Sequence, residues 1–269
     1  MKQRESLAQQ EFIKQQKQRR TLVTVSRILL LFLFLALWEI SAGTGLIDDF
    51  IFSSPSRMTR CFLRMVKDRS IFLHMGVTLS ETLISFFLVT LIGILGAMLL
   101  WSSRTLSEIL EPYLVMLNSL PKSALAPILI VWLGSNRKTI IVAAISVAVF
   151  GSVLTLHNGF AGTDPDQIKL IHSLGGTKKD IMFKVLLPGS VPLILSNMKV
   201  NIGLCLVGVI IGEFLAAEKG LGYLIIYGSQ VFQLDLVLMS IFLLCIISTI
   251  LYQGIAILEK KLIKTELPH

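Results

Sequence analysis

Apolar residues run almost unbroken along this chain, and the polar intervals between them divide it into pieces of membrane-spanning length. Six stretches, 22–46, 77–101, 109–133, 139–156, 193–215 and 236–258, each hold about 18 to 25 mostly apolar residues, enough to cross hydrocarbon about 30 Å thick. In lipid a single segment satisfies its own backbone only as a helix. The pattern therefore predicts an all-α integral membrane protein of six transmembrane helices. It is organised as a polar, basic segment over 1–21, a membrane domain over 22–262 and a short tail over 263–269. The first apolar run continues past the length of a cleavable signal, and the Gln-, Lys- and Arg-rich residues before it are too polar for one. A different period appears over 57–67, where Met58, Cys61, Phe62, Met65 and Val66 recur at helical spacing with Arg57, Arg60, Arg64 and Lys67 elsewhere on the wheel. That is an amphipathic helix suited to a membrane surface.

The polar interval between the fourth and fifth stretches reads as a helical hairpin, 163–190. Asp164 is the expected N-cap, Pro165 the first helical residue, Gln167 the capping-box partner and Gly175-Gly176 the stop. Thr177 then opens a second short helix with Asp180 as its box partner, closed by Pro188 and Pro192. The first arm is on the order of 10 Å long, too short to cross a bilayer and suited to lying in a groove. Leu170, Ile171 and Leu174 give it an apolar side that solvent alone does not explain.

Composition supports the membrane reading. Of 269 residues, 54% are hydrophobic and 16% charged, with a mean hydropathy of +0.75. Orientation follows from Lys and Arg placement rather than from the net charge of +8. With the N-terminus inside, six spans leave fifteen basic residues inside and eight outside, so the N- and C-termini and the hairpin are expected to be cytoplasmic.

Chemistry is sparse. Cys61, Cys205 and Cys245 and the four histidines are scattered without metal-ligand spacing, and no phosphate-cradling G-x-x-x-x-G-K-[ST] occurs. Ser152 and His157 are five positions apart and point about 140° from one another on a helix, which excludes a dyad within one segment. No catalytic, cofactor or metal site and no nucleic-acid partner is expected. The ionisable residues inside the spans are the remaining candidates. Lys122 lies between Pro121 and Pro127, where a broken helix frees carbonyls; it either lines a pathway or snorkels at a packing kink. Lys199 and Glu213 are about 21 Å apart along one helix and cannot pair within a subunit. A carboxylate at that depth is paired or cavity-facing, and Glu213 is read as a partner for backbone or hydroxyl groups. Gly203, Gly208 and Gly212 permit another helix to approach closely, and Gly220 and Gly222 suggest an outward turn with unusual backbone angles.

From Trp38 to Leu262 the chain resembles the membrane subunit of an ATP-binding-cassette importer, in the branch that handles nitrate, taurine, alkanesulfonates and thiamine precursors. The resemblance rests on Trp38-Glu39, Ser54-Pro55-Ser56, His74 ahead of Thr78-Leu79, PKSALAPILIVWLG at 121–134, LGGTKKDIMFKVLLP at 174–188 and GEFLAAEKGLGYLI at 212–225. It implies a type I importer permease fold and a multi-pass subunit of a bacterial cell membrane. The implied partners are two ATP-binding-cassette ATPase subunits, an external solute-binding protein, the lipid bilayer and a second copy of the chain. ATP hydrolysis would then lie on the ATPase subunits, and the solute would be small and polar or anionic. In the family the hairpin carries a Glu-Ala-Ala, a later Gly and a Leu-Pro. Gly175 and Leu187-Pro188 match, while Lys169, Leu170 and Ile171 occupy the Glu-Ala-Ala positions. The implied ATPase-coupling residues are Asp166, Lys169, Leu170, Ile171, Leu174, Gly175 and Gly176. Pathway or gate positions would be Pro121, Lys122, Pro127, Lys199 and Glu213. The rival class is a secondary transporter or channel working without an ATPase; no internal repeat supports it.

Overall fold

A computed structural model describes the backbone of residues 7–266 and the side chains of residues 14–48 and 51–261; Lys2, Arg4 and His269, which entered the charge and topology expectations, lie outside them. Every regular element among the described residues is helical. The chain divides between Leu63 and Arg64 into two units. In the first, α1 (Leu7–Gly43) is one continuous helix, so the polar segment expected over 1–21 runs straight into the first span. After the short α2 (Asp49–Phe52), α3 (Pro55–Lys67) begins with its Ser56 N–H donating to the Glu39 carboxylate at 3.0 Å, which fastens it to the end of α1.

The second unit is built on α4 (Ser70–Ser102), then α5 (Arg104–Ser119), α6 (Lys122–Leu133) and α7 (Arg137–Ala161). The polar hairpin follows as α8 (Pro165–Ser173), α9 (Lys178–Ile181), a π-helical turn (Met182–Leu186) and α10 (Leu187–Gly189). The chain closes with α11 (Val191–Ala216), α12 (Leu221–Gln230) and α13 (Leu234–Glu266). Five helices are individually long and apolar enough to cross a membrane, and α5 with α6 makes a sixth if that bent pair is one span.

The third stretch is where the structure departs from the sequence expectation. Instead of one rod over 109–133 it is two helices meeting at 95°. Leu120 precedes proline and is extended (φ −62°, ψ 140°), because the ring of Pro121 disfavours helical backbone there. Pro127 is not the break; it lies inside α6. Lys122 resolves the carbonyl problem created by the bend. Its ammonium donates to Leu117 O at 2.7 Å and Asn118 O at 2.5 Å, capping the end of α5. Pro192 likewise opens α11 rather than closing the hairpin. Pro188 does not end the second arm either, since the chain stays helical through Gly189.

Helices α4, α7 and α11 pack together at the centre of this unit, with α5 and α6 against α7 and α12 and α13 along α11. Small residues set the spacing. Ala144 and Ala148 on α7 are fully buried, and a Cβ on Gly208 would come 2.6 Å from the Ala144 Cα. A Cβ on Gly212 would come 3.0 Å from the Ile140 Cα, whereas Gly203 has nothing within 4 Å. Two of the three glycines thus permit backbone approach inside the subunit, the small-residue mode of membrane helix packing. Gly208→Ala is expected to lower stability by about 1–3 kcal/mol through overpacking, while Gly203→Ala holds or slightly raises it. Thermal melts of the two variants in one detergent check this.

Candidate functional site

Residues with chemistry collect at the two ends of α7 and α11. Their separation is about 37 Å, the length of a 25-residue helix.

At one end is the hairpin. The Asp164 carboxylate accepts the Asp166 N–H at 2.9 Å, so α8 is capped two residues on rather than through Gln167. Gly175 has φ +78° and supplies the left-handed residue at the reversal, a conformation that costs glycine little. The Thr177–Asp180 capping box is present. Lys184 donates to Asp180 at 2.7 Å. That bond, followed by those from the Thr177 hydroxyl and amide, holds the Asp180 carboxyl well below the usual carboxylate range. A carboxyl depressed in this way contributes stability above its unfolded value and loses it only as pH falls through the lower folded value. The second arm is therefore locked at neutral pH. The π-turn before Pro188 carries Leu187 N–H to Met182 O.

The two arms differ in exposure. Leu170 and Leu174, one turn apart on α8, are 58% and 75% exposed, and no residue of α8 is buried. Ile171, expected to share that face, is half-buried and turned back over Gly176, where a Cβ would strike its Cγ2. Lys169, in the place of the resembling family's Glu, pairs with Asp166 at 3.0 Å on the exposed surface. The second arm is rooted in the bundle. Leu186 is fully buried with Ala97, Leu156 and Phe160, so it joins α4 and α7. Phe183 on the same arm is 61% exposed, an apolar surface residue that sequence reasoning passed over.

At the other end is a polar knot in which Glu213 is fully buried. Thr78 Oγ1 donates to Glu213 Oε1 at 2.7 Å and Gly222 N–H to Oε2 at 2.6 Å. Thr78 in turn accepts Leu221 N–H at 2.8 Å, and His74 Nδ1 accepts Gly220 N–H at 3.1 Å. Glu81, 1% exposed, is one turn along α4 from Thr78, and Arg137 Nε is 3.5 Å from Glu81 Oε1 as its counter-charge. Gly220, at φ +123°, makes the turn. Gly222 does not have unusual angles as the sequence suggested. It is helical, and glycine is required because a Cβ would sit 2.8 Å from Glu213 Oε2. The carboxylate thus pins the start of α12 onto α4 and α11.

The remaining candidates are elsewhere. Pro121, Lys122 and Pro127 belong to the α5–α6 bend. Lys199 is not near Glu213 and instead joins α11 to α13 through Glu259 at 2.8 and 2.9 Å. Ser152 and His157 do not pair. Ser152 Oγ accepts from Asn197 and Asn201, and His157 Nε2 meets Ser107 Oγ at 2.8 Å across α5 and α7. No metal-holding cluster occurs among the described residues. Sequence reasoning missed Glu81, although His74, Thr78 and Glu81 at i, i+4 and i+7 put three polar groups on one face of an apolar helix. Arg137 and Glu259 had no local signal.

Residues 89–264 match the family model described as "Binding-protein-dependent transport system inner membrane component". The chain belongs to this family. The permease is 28% identical over 228 residues to a probable ABC transporter permease protein of Haemophilus influenzae, covering 85% of this chain and 92% of that one. It is 24% identical to the putative aliphatic sulfonates transport permease protein SsuC of Bacillus subtilis over 88% and 86% of the two chains. With the taurine transport system permease protein TauC of Escherichia coli identity is 26%, over 85% of each. A bacterial ABC transporter that imports the acidic polysaccharide alginate shares the fold, with TM-score 0.65 at 12% identity over 91% of this chain and 98% of that one. The protein is thus a multi-pass permease subunit of an ABC importer with the type I permease fold. Glu213→Ala is expected to destabilise the permease by about 1–3 kcal/mol by leaving buried donors unpaired, with Glu213→Gln milder because one carbonyl acceptor remains. Thermal melts rank the pair.

Proposed function

We propose that the permease acts as a homodimer driven by two separate ATPase subunits, each seated against α8, and accepts solute from an external binding protein. The observation that carries this is the contrast between the arms of the hairpin: Leu170 and Leu174 stand out on α8, while Leu186 roots the other arm beside Phe160 and Leu156. A short helix with unburied leucines and a fixed root suits a lever that passes ATPase motion to α4 and α7. In this reading Asp166, Lys169, Leu170, Leu174 and Gly175 form the docking face, and Ile171 and Gly176 hold the reversal together. The hairpin and both termini are cytoplasmic, on the charge asymmetry. The Glu213 knot keeps the α11–α12 connection closed at the external end. The solute is a small polar or anionic compound such as a sulfonate, nitrate or thiamine precursor. The sulfonate and taurine relatives favour the first of these. A secondary transporter or channel is not favoured, because the family depends on a binding protein.

Gly175→Val is expected to insert in the membrane normally but to lose transport, because a β-branched residue resists φ +78°. Leu170→Ala and Leu174→Ala each cost about 1–3 kcal/mol of ATPase docking. Uptake and co-purification of the ATPase are the measurements, and a Gly175→Val permease with parental uptake and its ATPase still bound would sink the lever. Topology has its own test. In a background lacking Cys61, Cys205 and Cys245, a cysteine at 178 is expected to react only from the cytoplasmic side, and cysteines at 64 and 219 only from outside.

A further inference from the structure

The amphipathic helix α3 is unused by the proposed transport cycle, and its two sides are unequal. Met58, Cys61, Phe62, Met65 and Val66 are half-buried, so the apolar side is already partly covered. Thr59, Arg60, Leu63, Arg64 and Lys67 are exposed. On the free side Arg60, Arg64 and Lys67 fall within an arc of about 60° and a length of about 10 Å. Leu63, 58% exposed, lies beside them. Arg64 and Lys67 make no ion pair among the described residues. Arg60 Nε reaches only the Ser56 carbonyl at 3.4 Å and lies in the field of Glu39. The nearest acid in sequence is turned away, since Asp68 accepts from the Ser70 hydroxyl at 2.6 Å and the Ser70 N–H at 2.9 Å.

The location selects the ligand. Only Asp68 and Arg69 separate α3 from α4, and Arg69 makes the corner at φ +62°. A helix that ends two residues before a 33-residue membrane span lies at the boundary of lipid and water. There a row of cations meets phosphodiesters, and a leucine among them meets the upper acyl chain; an acidic protein surface would have no use for Leu63.

We propose that the exposed side of α3 is a binding site for anionic phospholipid, with Arg60, Arg64 and Lys67 holding the headgroup phosphates and Leu63 entering the acyl region. On the proposed topology this is the outer leaflet, but headgroup binding does not depend on which leaflet it is. Each basic residue near an anionic surface strengthens association about fivefold, so removing all three is expected to cost about a hundredfold.

The test is native mass spectrometry of the intact transporter in detergent, titrated with phosphatidylglycerol and with phosphatidylcholine. The parental protein is expected to retain phosphatidylglycerol selectively, less so as salt rises. The Arg60→Gln/Arg64→Gln/Lys67→Gln variant is expected to lose that selectivity, and Arg60→Lys/Arg64→Lys to keep most of it. If the triple variant does not assemble, the salt dependence and Arg64→Gln alone carry the test. Equal retention by parent and variant, or salt-independent retention, overturns the proposal. So does a variant that binds lipid normally yet loses stimulation by the binding protein in phosphatidylcholine nanodiscs, which would assign the face to a protein partner.

Discussion

Hydrocarbon offers no hydrogen bonds, so each polar group that the permease places at membrane depth must find its partners inside the protein. Glu213 shows how far that requirement reaches. Its carboxylate takes a hydroxyl from α4 and an amide from the first turn of α12, and those donors exist only if the chain reverses tightly after α11. The reversal needs Gly220 at positive φ, and the approach needs Gly222 without a side chain. One buried carboxylate thus dictates a turn, a helix start and two glycines. Lys122 answers the same requirement differently, by bringing its own ammonium to the carbonyls exposed where Pro121 breaks the third stretch.

Between the knot and the hairpin the bundle is held at close range. Ala144 and Ile140 on α7 face Gly208 and Gly212 on α11, so the two backbones approach closely where the glycines carry no side chain. Packing of this kind resists sliding, because interiors at crystal-like density transmit displacement rather than absorb it. The hairpin joins the bundle through Leu186 and Phe160, both fully buried. On the proposed mechanism, motion at α8 therefore moves α4 and α7 as a body, and the knot about 37 Å away lies at the far end of the same helices.

The charge pattern of the hairpin separates this permease from the family signature it otherwise follows. A lysine stands where the signature has glutamate, and its partner Asp166 is one turn earlier on the exposed side of α8. An ion pair so open to solvent contributes little to stability. On the proposed mechanism its consequence is for recognition: the docking face presents both signs of charge, and the ATPase surface it meets has to be complementary to that arrangement.

Local rules carried much of the architecture. Apolar runs longer than a soluble helix needs specified the spans, and Asp164, Pro165, Gly175 and the Thr177–Asp180 box marked the hairpin. Capping and left-handed reversal involve atoms only a few residues apart, so the sequence contains everything that decides them. The same holds for α3, whose period was readable before any packing was known. Other outcomes needed the assembled bundle. That Pro121 rather than Pro127 breaks the third stretch, and that Ile171 turns back over Gly176 while Leu170 and Leu174 stay exposed, is not distinguished by the apolar pattern alone. Glu213 was recognisable as a buried acid, but Thr78 is 135 residues away and Gly222 nine. Partners across helices are chosen by how α4, α7 and α11 pack, and no periodicity along one segment encodes that choice.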